Sequence, residues 1–118
     1  MAGFTTAFSR TTLDAAIVDG DVIRYSENGS SASTHVAATS IAAWTAATNA
    51  DPAHRVNTGA VDSAGCDADT ITISHFSVWD STSTTQKTDW VALGGGSRVL
   101  MTGDKISWAA SAIDVTMT

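Results

Sequence analysis

Ten residues, Thr70-Ile-Thr-Ile-Ser-His-Phe-Ser-Val-Trp79, carry the clearest pattern in the chain, because apolar and polar side chains alternate along them. Successive side chains of a β-strand point to opposite faces of a sheet, so this alternation predicts a strand with one buried face. The apolar positions shift by one residue between Ile73 and Phe76. Such a shift moves the apolar side chains to the opposite face unless a bulge absorbs the extra residue.

The same alternation recurs in shorter segments up to the C-terminal end of the sequence, with polar or glycine-containing turns between them. Short strands at intervals of about 8–12 residues are typical of an antiparallel sandwich or barrel. The fold class predicted is therefore all-β, an antiparallel β-sandwich or barrel-like domain, with its last strand held in a sheet. The predicted strands are 90–93, 97–102, 105–110 and 112–117.

The first half of the chain gives weaker signals. Residues 22–27 are strand formers followed by Asn28-Gly29, which predicts a hairpin with a type I′ turn and a return strand near residues 32–38. A further short strand is predicted around residues 60–63. The alanine-dense stretch favours one short helix near residues 36–48, although its threonines and weak apolar period leave strand or coil open.

The domain organisation follows from length and from the character of the first residues. A chain of 118 residues is long enough for one domain. Residues 1–13 are polar with isolated apolar side chains, so we expect a mobile or partner-bound N-terminal arm. Residues 14–118 are expected to form the single β domain.

Composition excludes several classes of function. The net charge is −6, and the six basic residues are scattered singly, whereas binding to nucleic acid needs several cations on one face. Charged residues make up 15% of the chain against a usual share of about 25%, while Ser and Thr number 32, which predicts a hydroxyl-rich surface. No run of 18 apolar residues and no export signal is found, so we expect a soluble chain made in the cytoplasm, with neither nucleic acid nor membrane as partner.

The sequence predicts no catalytic, cofactor-binding or metal site, and hence no enzyme. Cys66 is the only cysteine, which excludes an intramolecular disulfide and a zinc site made of several thiolates. The glycines at 94–96 lack the spacing of a dinucleotide or phosphate loop, and the Asp pairs at 19/21 and 67/69 lack that of a calcium loop. The three histidines are far apart and no nucleophile elbow occurs, although composition alone leaves a Ser, His and Asp constellation open.

Aromatic residues are the candidate interaction residues. Trp79 and Trp108 lie in alternating strands and are core candidates, whereas Trp44 and Trp90 have more polar neighbours, so that either could anchor a neighbouring subunit. Core is the commoner place for each of these tryptophans. Together with two phenylalanines of the arm, the predicted interaction residues are Phe4, Phe8, Trp44 and Trp90.

A resemblance adds to these inferences. Ile71-Thr-Ile-Ser-His-Phe-Ser-Val-Trp-Asp80 resembles a motif of small structural proteins of tailed bacteriophages, in which Thr-His-Phe-Gly-Leu-Trp/Phe-Asp precedes a Thr/Gly-rich turn. The later elements of that pattern have counterparts in residues 90–93, 103–108 and 112–117, and residues 44–52 are similar too. The similarity runs from about residue 40 to the end. The N-terminal third lacks the opening region usual in the tail-associated relatives.

The resemblance implies a structural protein of the virion, with a capsid decoration protein on the outer shell as the first expectation. Its partners would be the major capsid protein and copies of itself, as a trimer or other small oligomer. The alternative implied is a tail or tail-tip accessory protein that binds the host surface through loops 26–34 and 81–88. The resemblance supplies no catalytic residues.

Overall fold

A computed structural model describes residues 5–49 and 53–116. They form a β-rich domain with one short helix, and every strand pair is antiparallel, as the alternating pattern predicted. The elements are α1 Thr6–Ala16, β1 Val22–Ser26, β2 Thr39–Ser40, β3 His54–Val56, β4 Val61–Asp62, β5 Ile71–Ile73, β6 His75–Trp79, β7 Val91–Ala92, β8 Arg98–Leu100, β9 Ser107–Trp108 and β10 Asp114–Thr116.

The largest sheet has the strand order β2-β1-β6-β7, so the Phe76 strand β6 lies inside it. The other strands form three pairs, β3 with β10, β4 with β9 and β5 with β8. Ile23, Tyr25 and Val78 project from the same face of the large sheet and are almost fully buried. They join side chains from the three pairs in one hydrophobic core.

The shift in apolar phase marks a change of sheet. Residues 71–73 pair with β8, whereas 75–79 pair with β1, and Ser74 lies between the two strands. The backbone N–H of Ser74 already donates to Ser26 O at 2.9 Å, in the large sheet. In one continuous strand, an odd-numbered and an even-numbered residue would point to opposite faces. Because the chain changes partner strands at Ser74, Ile73 and Val78 nevertheless both reach the core.

The predicted hairpin after β1 is wrong, although the strand itself is confirmed. β1 pairs with β6 and β2, and residues 32–38 form no strand. Gly29 has a φ of +77°, but Asn28 does not have a positive φ, so the type I′ turn that needs both is not formed. Asn28 and Gly29 instead close a compact loop through side-chain hydrogen bonds.

The short helix predicted near residues 36–48 is not there. That segment contains strand β2, and its apolar side chains Ile41, Trp44 and Ala47 enter the core. The helix instead covers residues 6–16 and crosses the expected boundary between arm and domain. Thr5 caps it by accepting the N–H of Phe8 on its hydroxyl at 3.2 Å.

Polar side chains, among them Arg55 and Asp14, connect α1 to the β domain. Arg55 donates to the backbone oxygens of Asp14 and Ile17, which lie at the C-terminal end of the helix. The carboxylate of Asp14 accepts the backbone N–H of Ala47 at 2.8 Å. With Leu13 and Ile17 buried in the core, residues 6–16 are an integral part of the domain in this structure rather than a detached arm.

β3 was missed because residues 54–56 have no alternating apolar pattern and their side chains are all half-buried. β10 pairs with it in register, Val115 opposite Arg55, so the described end of the chain is held in a sheet as predicted.

Candidate interaction site

A groove lined by both apolar and polar side chains opens beside the edge strand β7, and we call it the helix groove. It lies between α1, β6, the segment 86–91 and β10, and its volume is about 890 Å³. Its apolar lining includes Leu13, Ile17, Phe76, Val78, Trp90 and Val115. A cavity of this size lies within the range of ligand and peptide sites in proteins, roughly 300–1,000 Å³.

A second groove of about 570 Å³, the strand groove, adjoins the first. Both grooves are lined by Phe76, Val91 and Asp114, so they meet at these three residues. The strand groove continues over Leu93, Leu100, Ile106 and Trp108. The two grooves therefore form one continuous depression that shares Phe76, Val91 and Asp114.

The base of this depression is held by aromatic packing. The rings of Phe76 and Trp108 lie 4.8 Å apart at 60°. The indole N–H of Trp108 donates to the phenol oxygen of Tyr25 at 2.9 Å, which connects β9 to β1. Burial raises the pKa of Tyr25 to about 12. These contacts fix the position of Phe76 where the two grooves join.

The one cation lining the helix groove among the described residues is already neutralised. The ammonium of Lys87 lies 2.8 Å from a carboxylate oxygen of Asp21, which is almost fully buried, and also donates to Ala16 O at 2.7 Å. Lys87 thereby connects the segment 86–88 to the end of α1. Polar side chains share the lining with the apolar ones, among them the carboxylates of Asp89 and Asp114, so this groove offers a partner a mixed surface of apolar and polar groups.

The structure scatters the predicted interaction residues. Phe4 lies outside the described residues. Phe8 is 52% exposed on α1, and Trp90 is half-buried in the lining of the helix groove, with its ring 6.2 Å from that of Trp79. Trp44 belongs to the core with 5% of its surface exposed, so it presents no surface in the single chain.

The burial of the tryptophans therefore differs in part from the predicted division into core and interface candidates. Trp79 and Trp108, the stronger core candidates, are half-buried, and Trp44, a candidate anchor for which core was still the commoner place, is the most buried tryptophan. The polar neighbours of Trp44 in the sequence do not keep it at the surface, because it bridges to buried Asn57 and its backbone N–H is satisfied by Asp19 at 3.0 Å. The groove-lining residues Leu13 and Ile17 were missed because the helix was missed.

The histidines form separate contacts. His35 meets Asp67 at 2.7 Å, and His54 meets Asp114 at 3.1 Å, both at exposed positions. His75 Nδ1 lies 2.7 Å from the hydroxyl of its neighbour Ser74. Among the described residues, no group of three His, Cys, Asp or Glu side chains is placed to hold a metal ion. No helix in that part of the chain is long and apolar enough to cross a membrane.

Comparison with known proteins finds no protein family, no curated protein and no solved structure that matches this chain.

Proposed function

We propose that this protein is a structural protein of a bacteriophage virion, namely a capsid decoration protein that binds the outer capsid surface and stabilises the shell. The virion assignment is supported by the resemblance of residues 71–80, which form β5 and β6. The partners proposed are the major capsid protein and other copies of this chain, and no catalytic step is part of the role.

The observation that carries a binding role is the open depression beside β7, whose lining includes exposed apolar side chains. Val91 is 47% exposed where the two grooves meet, and Phe76 and Trp90, both half-buried, line the same groove beside it. A contiguous apolar patch of this kind, unlike a single exposed side chain, is typical of an interaction site. β7 is an edge strand of only two residues, so one side of the large sheet ends there. An apolar segment of a neighbouring subunit laid across Phe76 would cover this surface.

The proposed mechanism is mechanical. A protein that binds the assembled shell more tightly than its separated subunits stabilises the assembled state by mass action. Ser, Thr and Ala on the surface lose little side-chain entropy when they are covered, so a hydroxyl-rich surface is suited to repeated contacts. The net charge of −6 disfavours contact with the packaged genome and is compatible with a position outside the shell.

Capsids of the parent phage that lack this protein provide the test. Purified protein is added to them, bound protein is measured by co-sedimentation, and the temperature of capsid disruption is recorded. We expect saturable binding and a higher disruption temperature. Absence of binding, or binding without a change in that temperature, would overturn the decoration role.

A pair of matched variants tests the groove itself. Val91→Asp places a charge where the grooves meet, whereas Val99→Asp places the same charge on β8, 61% exposed and outside both linings. If the groove is the interface, Val91→Asp weakens capsid binding by a factor of about 10 to 100, as loss of a central contact does, and Val99→Asp leaves it unchanged. Equal binding by Val91→Asp and wild type contradicts the groove as interface.

The alternative, a tail or tail-tip accessory protein that binds a host-surface glycan, has one feature in its favour. Trp79 and Trp90 lie next to each other at a partly exposed position, with Arg24 5.0 Å above the Trp79 ring. The adjacent loop is ordered by Asp80, whose carboxylate accepts the N–H groups of Thr84 and Thr85 and so has a lowered pKa. Binding of purified protein to bacterial surface glycan, without binding to capsids, would favour this role.

A further inference from the structure

The loop after β1 contains a dipeptide that is chemically labile in most settings. In Asn-Gly, the glycine has no side chain to hinder its backbone nitrogen, which can attack the asparagine side-chain carbon. The new C–N bond closes a five-membered succinimide, and the side-chain nitrogen leaves as ammonia. Water then opens the ring at either carbonyl, giving aspartate or isoaspartate. Asn28-Gly29 is the only Asn-Gly pair in the chain.

The structure holds both reacting groups in place. The N–H of Gly29 donates to the hydroxyl of Ser26 at 2.8 Å, which directs the nitrogen toward Ser26. The side-chain oxygen of Asn28 accepts the N–H groups of Ser30 at 2.9 Å and Ser31 at 3.0 Å. The amide nitrogen of Asn28 donates to the hydroxyl of Ser31 at 3.3 Å. Ring closure brings the Gly29 nitrogen onto the side-chain carbon of Asn28, so it competes with the bonds that hold both groups.

Ser26 is the centre of this arrangement. It is fully buried, its hydroxyl donates to Ser31 O at 2.6 Å, and it also accepts the N–H of Asn28 at 3.2 Å. The next anchor is the N–H of Ser33, which donates to Tyr25 O at 2.7 Å. Both ends of the loop are thus hydrogen-bonded to the end of strand β1, which belongs to the core.

Glycine is required at position 29 by the packing. Its φ is +77°, and a Cβ there would lie 2.9 Å from the ring of His75. Asn28 supplies the acceptor that turns the chain at Ser30 and Ser31. Both members of the labile dipeptide are therefore needed for the loop, and the same loop restrains their reaction.

We propose that residues 26–31 form a deamidation site that the folded loop protects. The hydrogen bonds of the loop keep Asn28 intact, and Ser26 is the residue that positions the Gly29 nitrogen. When the loop opens, Asn28 converts to aspartate or isoaspartate. The product carries one additional negative charge. Isoaspartate also adds one carbon to the main chain, so the loop cannot close again with the same hydrogen bonds.

The test follows the loss of ammonia at Asn28 by peptide mass spectrometry after incubation of the full chain in mildly alkaline buffer. Folded wild type should react at least about tenfold more slowly than the same chain in urea, since closing the loop is worth more than one buried hydrogen bond. Ser26→Ala is assayed under conditions where circular dichroism shows that it is folded. It should accelerate the reaction by about tenfold. Equal rates in folded and urea-unfolded wild type would overturn the proposal.

A matched control separates local opening from general loss of stability. Ser63 is also buried, and its hydroxyl also accepts a backbone N–H, that of Ile106 at 2.8 Å, far from Asn28 in the sequence. Ser63→Ala should leave the deamidation rate of Asn28 unchanged. A rate raised as much as in Ser26→Ala would contradict the protection of Asn28 by the loop. If Ser26→Ala does not fold, Ser31→Ala, at an exposed position, removes the acceptor of the Asn28 amide. It should then raise the rate, and no change would overturn the proposal.

Discussion

Asn57 is a fully buried polar side chain that holds two distant segments together, residues 57–59 and 109–113. Its amide nitrogen donates to Gly59 O at 2.7 Å and Ala109 O at 3.0 Å, and its side-chain oxygen accepts the N–H of Ile113 at 2.9 Å. The side chain takes the place of backbone pairing where β3 ends and the loop before β10 begins. A buried amide that satisfies three backbone groups is structural, and its removal leaves each of them unpaired.

Asn57→Ala should therefore lower the free energy of unfolding by about 3 kcal/mol, because buried polar groups lose their partners without gaining water. Urea unfolding followed by tryptophan fluorescence measures the change. Asn49→Ala, at an exposed position, is the control and should stay within about 0.5 kcal/mol of wild type. A similar loss in both variants would contradict the role assigned to Asn57.

No sequence pattern marks Asn57, since asparagine next to threonine and glycine is typical of a turn. Its role depends on residues 109–113, more than fifty positions later, which fold back over it. Trp44 shows the same limit, because its burial comes from neighbours that are close in space and not in sequence.

At the level of elements, α1 depends on the β domain for its C-terminal end. Arg55 on β3 bonds the last helical carbonyls, and its guanidinium also lies 3.5 Å from the carboxylate of Asp14. Cations near a helix C-terminus satisfy carbonyls that the helix cannot pair itself. An 11-residue helix is marginal alone in water, so these contacts and the burial of Leu13 are what stabilise it.

Arg55→Ala should weaken α1 and lower the free energy of unfolding by about 2 kcal/mol, through the lost carbonyl bonds and packing. The helical signal in circular dichroism should fall before the main unfolding transition. Arg10→Ala, an exposed arginine of the same helix, is the matched control and should leave both quantities unchanged. Loss of helix in the control alone would show that Arg55 is not the anchor.

The strands and the helix also show which elements a local sequence pattern can predict. Most of the alternating segments in the second half became strands, although each is shorter than predicted, because pairing continues only where a partner strand is present. The helix was missed because residues 6–16 contain four polar hydroxyl side chains and bury only Ser9 and Leu13. Thr5 as a capping residue was the one local signal for it.

For the whole molecule, Tyr25 makes stability depend on alkaline pH. It is the only tyrosine, it lies in the core, and burial raises its pKa from 10.0 to about 12. The folded chain therefore keeps the phenol proton more tightly than the unfolded chain does. This contribution to stability is fully present below pH 10 and is lost as the pH rises toward 12.

The free energy of unfolding should fall by about 2 to 3 kcal/mol as the pH rises from 10 to 12, which follows from the size of the Tyr25 pKa shift. Urea unfolding at a series of pH values measures it, and phenolate absorbance reports Tyr25 directly. Tyr25→Phe removes the titrating group, so the difference between the two stability curves isolates its effect. A difference that stays constant with pH would contradict the assignment.

The sequence by itself determined the strand-rich class and the position of most strands in the second half, because side-chain alternation is a property of neighbouring residues. Tertiary structure decided which strands pair, that the chain changes sheets at Ser74, that residues 6–16 form a helix, and that a depression opens at Phe76. Those features depend on contacts between distant segments, such as Arg55 with Ile17 and Trp108 with Tyr25. A pattern of adjacent residues carries no information about such contacts.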